Sequence, residues 1–343
     1  MKQTLQWGVV GTGGIAMAFA QALTRSQRCR IVNVVGKTVE EAKAFAAQWK
    51  IPASAGSLEE LLADPAVEAV YIGTPHPFHE QMALAAIAAG KGVLCEKPLA
   101  LNARDSERVI EAARKRGVFL MEGYMYRCHP LMKRLIADLQ AGVIGPIRHV
   151  RADFAFRVPR DPAGRLFARS LGGGAILDVG GYVVSFARLI AGLVEGKPFA
   201  EPISMTANGV MGPHGADETA TALLTFGSGF TAVVTAAVYH DAGTTAVVFG
   251  EAGRIVLPDP WIPQGDRQGL QTGYTIYRDG KEPETVSIVT DKATYAIEAE
   301  VVADSLPATQ AAWPAMSWDE TLGTMRVLDA WLAALPAAAT PSP

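Results

Sequence analysis

The sequence predicts a two-domain α/β protein. An N-terminal domain is built on a parallel sheet with helices on both faces. A C-terminal α+β domain follows, with a large, mostly antiparallel open sheet. Three observations carry this. The 343 residues suit two domains at roughly 100–200 residues each. The first 122 alternate short apolar runs with helical patterns, the mark of βα units. After about residue 145, period-two strands follow one another with few helices between them.

In the first half, Leu5–Val10 reads as a strand ending in glycines and Ile15–Leu23 as a helix. Ile31–Val35 is a strand and Val39–Trp49 a helix. Leu58–Leu62 is a short helix with Ser57 placed as its N-cap. Val67–Gly73 is a strand, Pro77–Ala89 a helix, Gly92–Cys95 a strand, Ala103–Arg116 a helix and Val118–Glu122 a strand.

In the second half, Val150, Ala152, Phe154 and Phe156 alternate with His149, Arg151 and Asp153, as a half-buried strand does. Ala220, Ala222, Leu224 and Phe226, then Phe230, Ala232, Val234 and Ala236, repeat the pattern across Gly227–Gly229, a β-hairpin. Thr244–Phe249, Arg254–Leu257, Tyr274–Tyr277 and Thr285–Val289 are further strands, and Ala175–Ile190, Ala293–Leu306 and Asp319–Leu335 are helical. The expected domains are 1–122 and 123–335, with a frayed Ala/Pro/Thr/Ser-rich tail at 336–343.

Composition narrows the function. Hydrophobic residues are 49% of the chain and the net charge is −3, with no Lys/Arg-rich block; nucleic acid and anionic membranes are poor partners. The N-terminus runs straight into an apolar strand without a signal-peptide pattern, and no uncharged run reaches the ~18 residues of a membrane helix. Cys29, Cys95 and Cys128 are too few and too scattered for a disulfide framework or a zinc site. The six histidines lack metal-ligand spacing. A cytoplasmic protein without metal is expected.

Gly11-Thr12-Gly13-Gly14-Ile15-Ala16 follows a strand and opens a helix, matching the Rossmann dinucleotide fingerprint G-x-G-x-x-[G/A]. The first glycine allows the tight turn, the second lets pyrophosphate approach the backbone, and the small third residue lets helix and strand pack closely. The helix start then offers N–H groups to the phosphates. NAD sites usually place an acid about 20 residues on, for the ribose 2′-OH. Here the chain reads Val35-Gly36-Lys37-Thr38, and no acid appears until Glu40. Lys37 and Thr38 suit a 2′-phosphate, so NADP is favoured, with NAD as the alternative.

Two further segments carry candidate chemistry. Glu96-Lys97-Pro98 follows the strand Gly92–Cys95, and ligands of open α/β sheets bind at the carboxyl ends of strands. That places Lys97 near the nicotinamide. In Gly172-Gly173-Gly174-Ala175-Ile176-Leu177-Asp178-Val179-Gly180-Gly181-Tyr182, Asp178 and Tyr182 lie four apart and share a helix face. The glycines let backbone or ligand come close to the helix start. Alone, the lysine fits a surface strand end equally well, and an Asp and a Tyr at this spacing are more often a structural hydrogen-bond pair.

Together these segments resemble the glucose–fructose oxidoreductase/inositol dehydrogenase (Gfo/Idh/MocA) family over nearly the whole chain. The resemblance also runs through Gly73-Thr74-Pro75-His76-Pro77-Phe78-His79, Met121-Glu122-Gly123-Tyr124-Met125-Tyr126-Arg127 and Gly142-Val143-Ile144-Gly145. Many members have a histidine where this chain has Tyr182. The tyrosine, with the His76–His79 stretch, is similar to the branch holding dimeric dihydrodiol dehydrogenase and NADP-dependent D-xylose dehydrogenase. His76 departs from the asparagine common in the wider family. The resemblance implies that Thr74, Pro75, His76, His79, Glu96 and Lys97 join the glycine turn, Lys37 and Thr38 in holding the cofactor. It also implies that Tyr182 exchanges the proton of a substrate hydroxyl while hydride moves to or from the nicotinamide. Lys97 would lower its pKa from the ordinary ~10, and Asp178 would hold the substrate or orient Tyr182 and Lys97. His79 either lines the cleft or simply starts its helix. Arg127, His149, Arg157 and Arg165 are candidate wall residues, though residues of these types are individually more often structural or surface.

The implied substrate is a sugar, polyol or diol. A sugar transhydrogenase or redox-assisted glycosidase that retains its cofactor, and a nucleotide-binding regulator without turnover, are the competing readings. A homo-oligomer is expected through the C-terminal sheet. There Thr219, Thr221, Leu223 and Thr225, with Thr231, Val233, Thr235 and Ala237, make an uncharged face.

Overall fold

A computed structural model describes residues 4–263 and 272–336; the expected frayed tail lies almost wholly outside them. The chain forms two compact units. One is Met1–His129 with Thr290–Thr321; the other is Pro130–Pro263 with the strands up to Val289 and the chain from Leu322 onward.

The first unit runs β1 (Leu5–Val10), α1 (Gly14–Leu23), β2 (Cys29–Val35), α2 (Val39–Trp49), β3 (Ala53–Ser54), α3 (Leu58–Ala63), β4 (Ala69–Ile72), α4 (His79–Ala88), β5 (Gly92–Glu96), α5 (Ala103–Arg116), β6 (Leu120–Gly123) and α6 (Met125–Cys128). Its six strands are all parallel, in the order β3-β2-β1-β4-β5-β6, that of a Rossmann sheet. Helix starts obey local chemistry. The side chains of Thr38, Ser57 and Asn102 cap α2, α3 and α5, each accepting a backbone N–H three residues on.

The core centres on Trp7, Phe19 and Tyr71. The rings of Phe19 and Tyr71 stack with centroids 3.8 Å apart. A late helix, α9 (Thr294–Ser305), buries Tyr295, Ala296, Ala299 and Val302 in this same core. Docking of a helix from so far along the chain leaves no mark in sequence order.

The second unit holds α7 (Pro130–Gln140), β7 (Ile147–Arg157), a π-turn (Ile176–Gly180), α8 (Gly181–Glu195) and the strands β8 (Pro202–Met211), β9 (Asp217–Phe226), β10 (Thr231–Ala237), β11 (Tyr239–Gly243), β12 (Ala246–Gly250), β13 (Gly253–Leu257), β14 (Thr272–Arg278) and β15 (Glu284–Ile288). The last helix, α10, is Trp318–Ala333. The sheet order is β15-β14-β13-β12-β7-β10-β9-β8, with β11 beside β7. Every pairing is antiparallel except β7–β10.

The expected hairpin is present, with Leu224 opposite Ala232 and Leu223 opposite Val233. Ala220, Ala222, Leu224, Phe226, Val234 and Ala236 are buried, and α8 packs on β7 and β10. The stretch Arg169–Glu195 is long and apolar enough to cross a membrane by composition, yet its apolar window is 94% buried in the protein. It is a core helix.

Candidate active site

The first unit carries the cofactor motif. Gly11 has φ +106°, and a Cβ there would lie 2.9 Å from the Gly73 carbonyl oxygen; this turn requires glycine. A Cβ on Gly13 or Gly14 would meet no protein atom within 4 Å. Gly13 caps α1 with no side-chain bond, and the first turn of α1 has no acid. Ala16 is fully buried, the close helix–strand contact that the small third residue serves. The turn fits a dinucleotide pyrophosphate: bare N–H groups at a helix start, and no side chain in the way.

Around the expected 2′-phosphate position the structure adds Glu41. Its Oε2 accepts from the Lys37 N–H at 3.3 Å and from Thr12 Oγ1 at 3.4 Å. Thr38 Oγ1 is engaged as the α2 cap, accepting from the Glu41 N–H at 3.2 Å. Lys37 and Thr38 are both solvent-exposed. A phosphate here would take over donors that Glu41 now holds.

The residues expected beside the nicotinamide divide into two kinds. His79 is fully buried, and its ring nitrogens lie 2.7 Å from the Thr74 and Pro98 carbonyl oxygens. Burial lowers its pKa against the pull of those carbonyls. Both nitrogens face backbone carbonyls, so the ring is packed between two backbone segments, and the neutral imidazole that burial favours donates to one of them at a time. His76, nine-tenths buried, starts a 3₁₀ turn after Pro75, its ring 5.7 Å from that of His79. Thr74 Oγ1 points at Met82 Sδ, 3.4 Å away.

Glu96 is likewise buried, accepting from Tyr71 Oη at 2.7 Å. Lys97 is partly exposed, whereas Gly92–Glu96 and Pro98–Ala100 are buried. Glu122 braces this turn: its Oε1 accepts from the Leu99 N–H at 3.0 Å. Burial pushes the pKa of Glu122 up to about 7, while Thr321, Leu99 and the charge of Lys97 pull it down.

The second unit carries Asp178 and Tyr182. The helix expected as continuous from Ala175 is a π-turn up to Gly180 and regular α-helix beyond; π-turns inside helices often mark functional sites. Asp178 is buried in that turn, its Oδ1 accepting from Arg165 Nη1 at 2.8 Å. Tyr182 lies in the first turn of α8, its ring 5.2 Å from Phe154 and 6.3 Å from Trp261. Trp261 Nε1 donates to the Asp153 carbonyl at 2.9 Å, fixing that indole.

Among the candidate wall residues, Arg165 is the one bonded to a site residue in the described structure. Arg127 is a core residue paired with Glu320. His149 bonds Thr231 Oγ1 at 2.9 Å on the sheet, and Arg157 is exposed at the end of β7. Sequence reasoning missed Asp217, whose Oδ2 accepts from the Ile176 N–H at 2.7 Å. No motif surrounds Asp217. The sole signal was the glycine run 172–174, which announces a close approach without naming the partner.

Comparison with known proteins agrees with both halves. Residues 5–124 match the GFO_IDH_MocA oxidoreductase family, NAD-binding Rossmann fold, and residues 132–256 match the GFO/IDH/MocA C-terminal domain. The chain is 38% identical over 263 residues to trans-1,2-dihydrobenzene-1,2-diol dehydrogenase from Homo sapiens, covering 76% of each chain. Against the Mus musculus enzyme of that name it is 36% identical over 261 residues, again 76% of each.

Among solved structures, aldose-aldose oxidoreductase from Caulobacter crescentus, complexed with glycerol, superposes with TM-score 0.85 at 26% identity, over 97% of both chains. KijD10, a 3-ketoreductase from Actinomadura kijaniata, in complex with NADP and TDP-benzene, gives 0.84 at 25% identity, over 98% of this chain and 99% of that one. With its fold, its glycine turn and both domains matched, this chain belongs to the GFO/IDH/MocA family of oxidoreductases.

Proposed function

We propose that the protein is an NADP(H)-dependent dehydrogenase acting on the CH–OH group of a sugar, polyol or diol, or reducing the matching carbonyl. The observation that carries it is the Asp178–Tyr182 turn. It joins a phenol in an aromatic seat to a buried carboxylate paired with Arg165, in a chain whose other unit has the dinucleotide turn. The relatives named above act on diols and sugars by name, and one is solved with NADP.

When bound, the nicotinamide supplies the hydride acceptor or donor. Gly13, Gly14 and the start of α1 would hold the dinucleotide's pyrophosphate, and Lys37 and Thr38 the 2′-phosphate of its adenosine ribose. Tyr182 Oη exchanges the proton of the substrate hydroxyl. Lys97 contributes a positive charge that favours the phenolate. Asp178, paired with Arg165, accepts a second substrate hydroxyl. Thr74, Pro75 and His76 shape the nicotinamide end, while His79 and Glu96 act through the backbone and core they hold. Steady-state turnover of aldoses, polyols and trans-diols with both nicotinamide cofactors tests this reading; no turnover with any of them sinks it. In the same assays Lys37→Ala should raise KM for NADP(H) roughly tenfold by removing a charge-assisted contact and leave NAD(H) unchanged. Equal loss for both cofactors contradicts the 2′-phosphate assignment.

The aldose-aldose oxidoreductase neighbour favours one second reading, a transhydrogenase that keeps its cofactor. Stoichiometric nucleotide in the purified protein would select it.

We also propose a cytoplasmic homodimer. None of the three cysteines is in a disulfide, as suits a reducing compartment. On the sheet face opposite α8, Thr221 and Leu223 are exposed, and Thr219, Thr225, Thr231, Val233 and Thr235 are partly so. Val210, on the neighbouring strand β8, is 59% exposed. A broad apolar and hydroxyl face suits a twofold partner. Leu223→Arg with Val233→Arg should give monomers by light scattering with NADPH binding intact; an unchanged mass in the folded variant rules this face out.

A further inference from the structure

We infer that Asp217 is a positioning residue for the reaction, its carboxylate seating the turn that carries Asp178 and Tyr182. The inference rests on the assignment of those two residues above.

Asp217 is the first residue of β9; it pairs with Met211 of β8 just past a register shift, and β10 joins the strand from Thr219 onward. Its position is therefore set by the sheet. Its side chain is buried, and Oδ2 accepts from the Ile176 N–H at 2.7 Å, with the Ala175 N–H also directed at the carboxylate. These are among the first N–H groups of the π-turn, which lacks a side-chain cap from its own N-cap residue. A carboxylate from another strand thus does what a capping residue does locally.

The glycine run takes its meaning from this contact. Gly174 has φ +126°, and a Cβ there would collide with Asp217 Oδ1. A Cβ on Gly173 would lie 2.6 Å from the Arg165 carbonyl oxygen and 2.8 Å from that of Ala168. One glycine admits the carboxylate and the other admits the 165–168 loop. That loop also supplies Arg165 to Asp178.

The seat is sensitive to protonation. The charges around Asp217 are Arg169, which acts on it directly, the Asp178–Arg165 pair on the turn and its loop, the neighbouring Glu218–Arg160 pair, and His240 bonded to Thr219 on the same strand. Burial pushes the pKa of Asp217 up to about 6, against the pull of the backbone N–H groups and Arg169. The ionised form accepts both N–H groups with charge assistance. Below that pH the acid is neutral and the seat weakens, so kcat should fall on the acid side.

The test compares Asp217→Ala, Asp217→Asn and Tyr182→Phe on the best substrate of the panel, with NADPH affinity measured by fluorescence. Asp217→Ala should lower kcat at pH 7 by about 10- to 100-fold, the scale of a misplaced reacting group, with NADPH affinity within twofold. Asp217→Asn keeps the acceptor oxygen but cannot titrate. Like the protonated acid, it should hold kcat at the acid-side level of the wild type, above that of Asp217→Ala, and flatten the acid limb near pH 6. A wild-type kcat in Asp217→Ala, or an unmoved acid limb in Asp217→Asn, overturns the inference. Should Asp217→Ala not fold, the Asn profile alone decides. A fully active Tyr182→Phe beside an impaired Asp217→Ala would remove Tyr182 from its role and still leave Asp217 seating the turn.

Discussion

Replacing Tyr182 with phenylalanine should lower kcat by about 10²–10⁴, the usual contribution of general acid–base catalysis. The change removes one oxygen and keeps the ring contacts with Phe154 and Trp261, so stability and NADPH affinity should stay near wild type. Lys97→Met should lose turnover as well. Under the proposed mechanism it removes the charge that would favour the phenolate, so any residual activity should need a higher pH. The paired measurement is a kcat–pH profile for each variant. A near-normal rate in Tyr182→Phe would end the acid–base assignment. Loss in Lys97→Met without any change in the basic limb would leave Lys97 a binding residue only.

The largest stability effect should come from a buried ion pair that takes no part in the proposed chemistry. Arg127 is fully buried, its Nη2 2.5 Å from Glu320, itself 1% exposed. Its Nε donates to the Pro314 carbonyl at 2.7 Å. Glu320→Ala would strand a guanidinium in the core at a cost of about 3–5 kcal/mol, read as a lower denaturation midpoint. Glu320→Gln keeps an acceptor oxygen and should cost less. Equal stability of Glu320→Ala and wild type would show that water reaches Arg127 once the acid is gone. The MEGYMYR segment thus owes its arginine to folding. This answers a question the sequence left open, since a wall arginine and a core arginine are written with the same letter.

Much of the architecture was legible because it is local. Apolar periodicity fixed the βα alternation, and the N-cap at Ser57 needed only its neighbours. The glycine turn declared its own chemistry through backbone freedom. The strand β8 was not legible. Met205 and Ala207 alternate with Ser204, Thr206 and Asn208, but none of its residues is buried, and the strand is held by pairing with β9. The π-turn was equally hidden, since its residues read as ordinary helix.

The sequence by itself determined the fold class, the dinucleotide turn, the hairpin faces and the residue types available for proton transfer. Each of these depends on spacing along one segment. Tertiary structure alone decided that α9 packs in the first core, that His79 and Glu96 are spent on internal bonds, that Glu41 takes the Thr12 hydroxyl from 29 residues away, and that Asp217 reaches the Asp178 turn from 41 residues away. These depend on which distant segments the sheets bring within hydrogen-bond distance. A short-range bond such as a 2.7 Å N–H to carboxylate contact leaves no periodic trace in the chain.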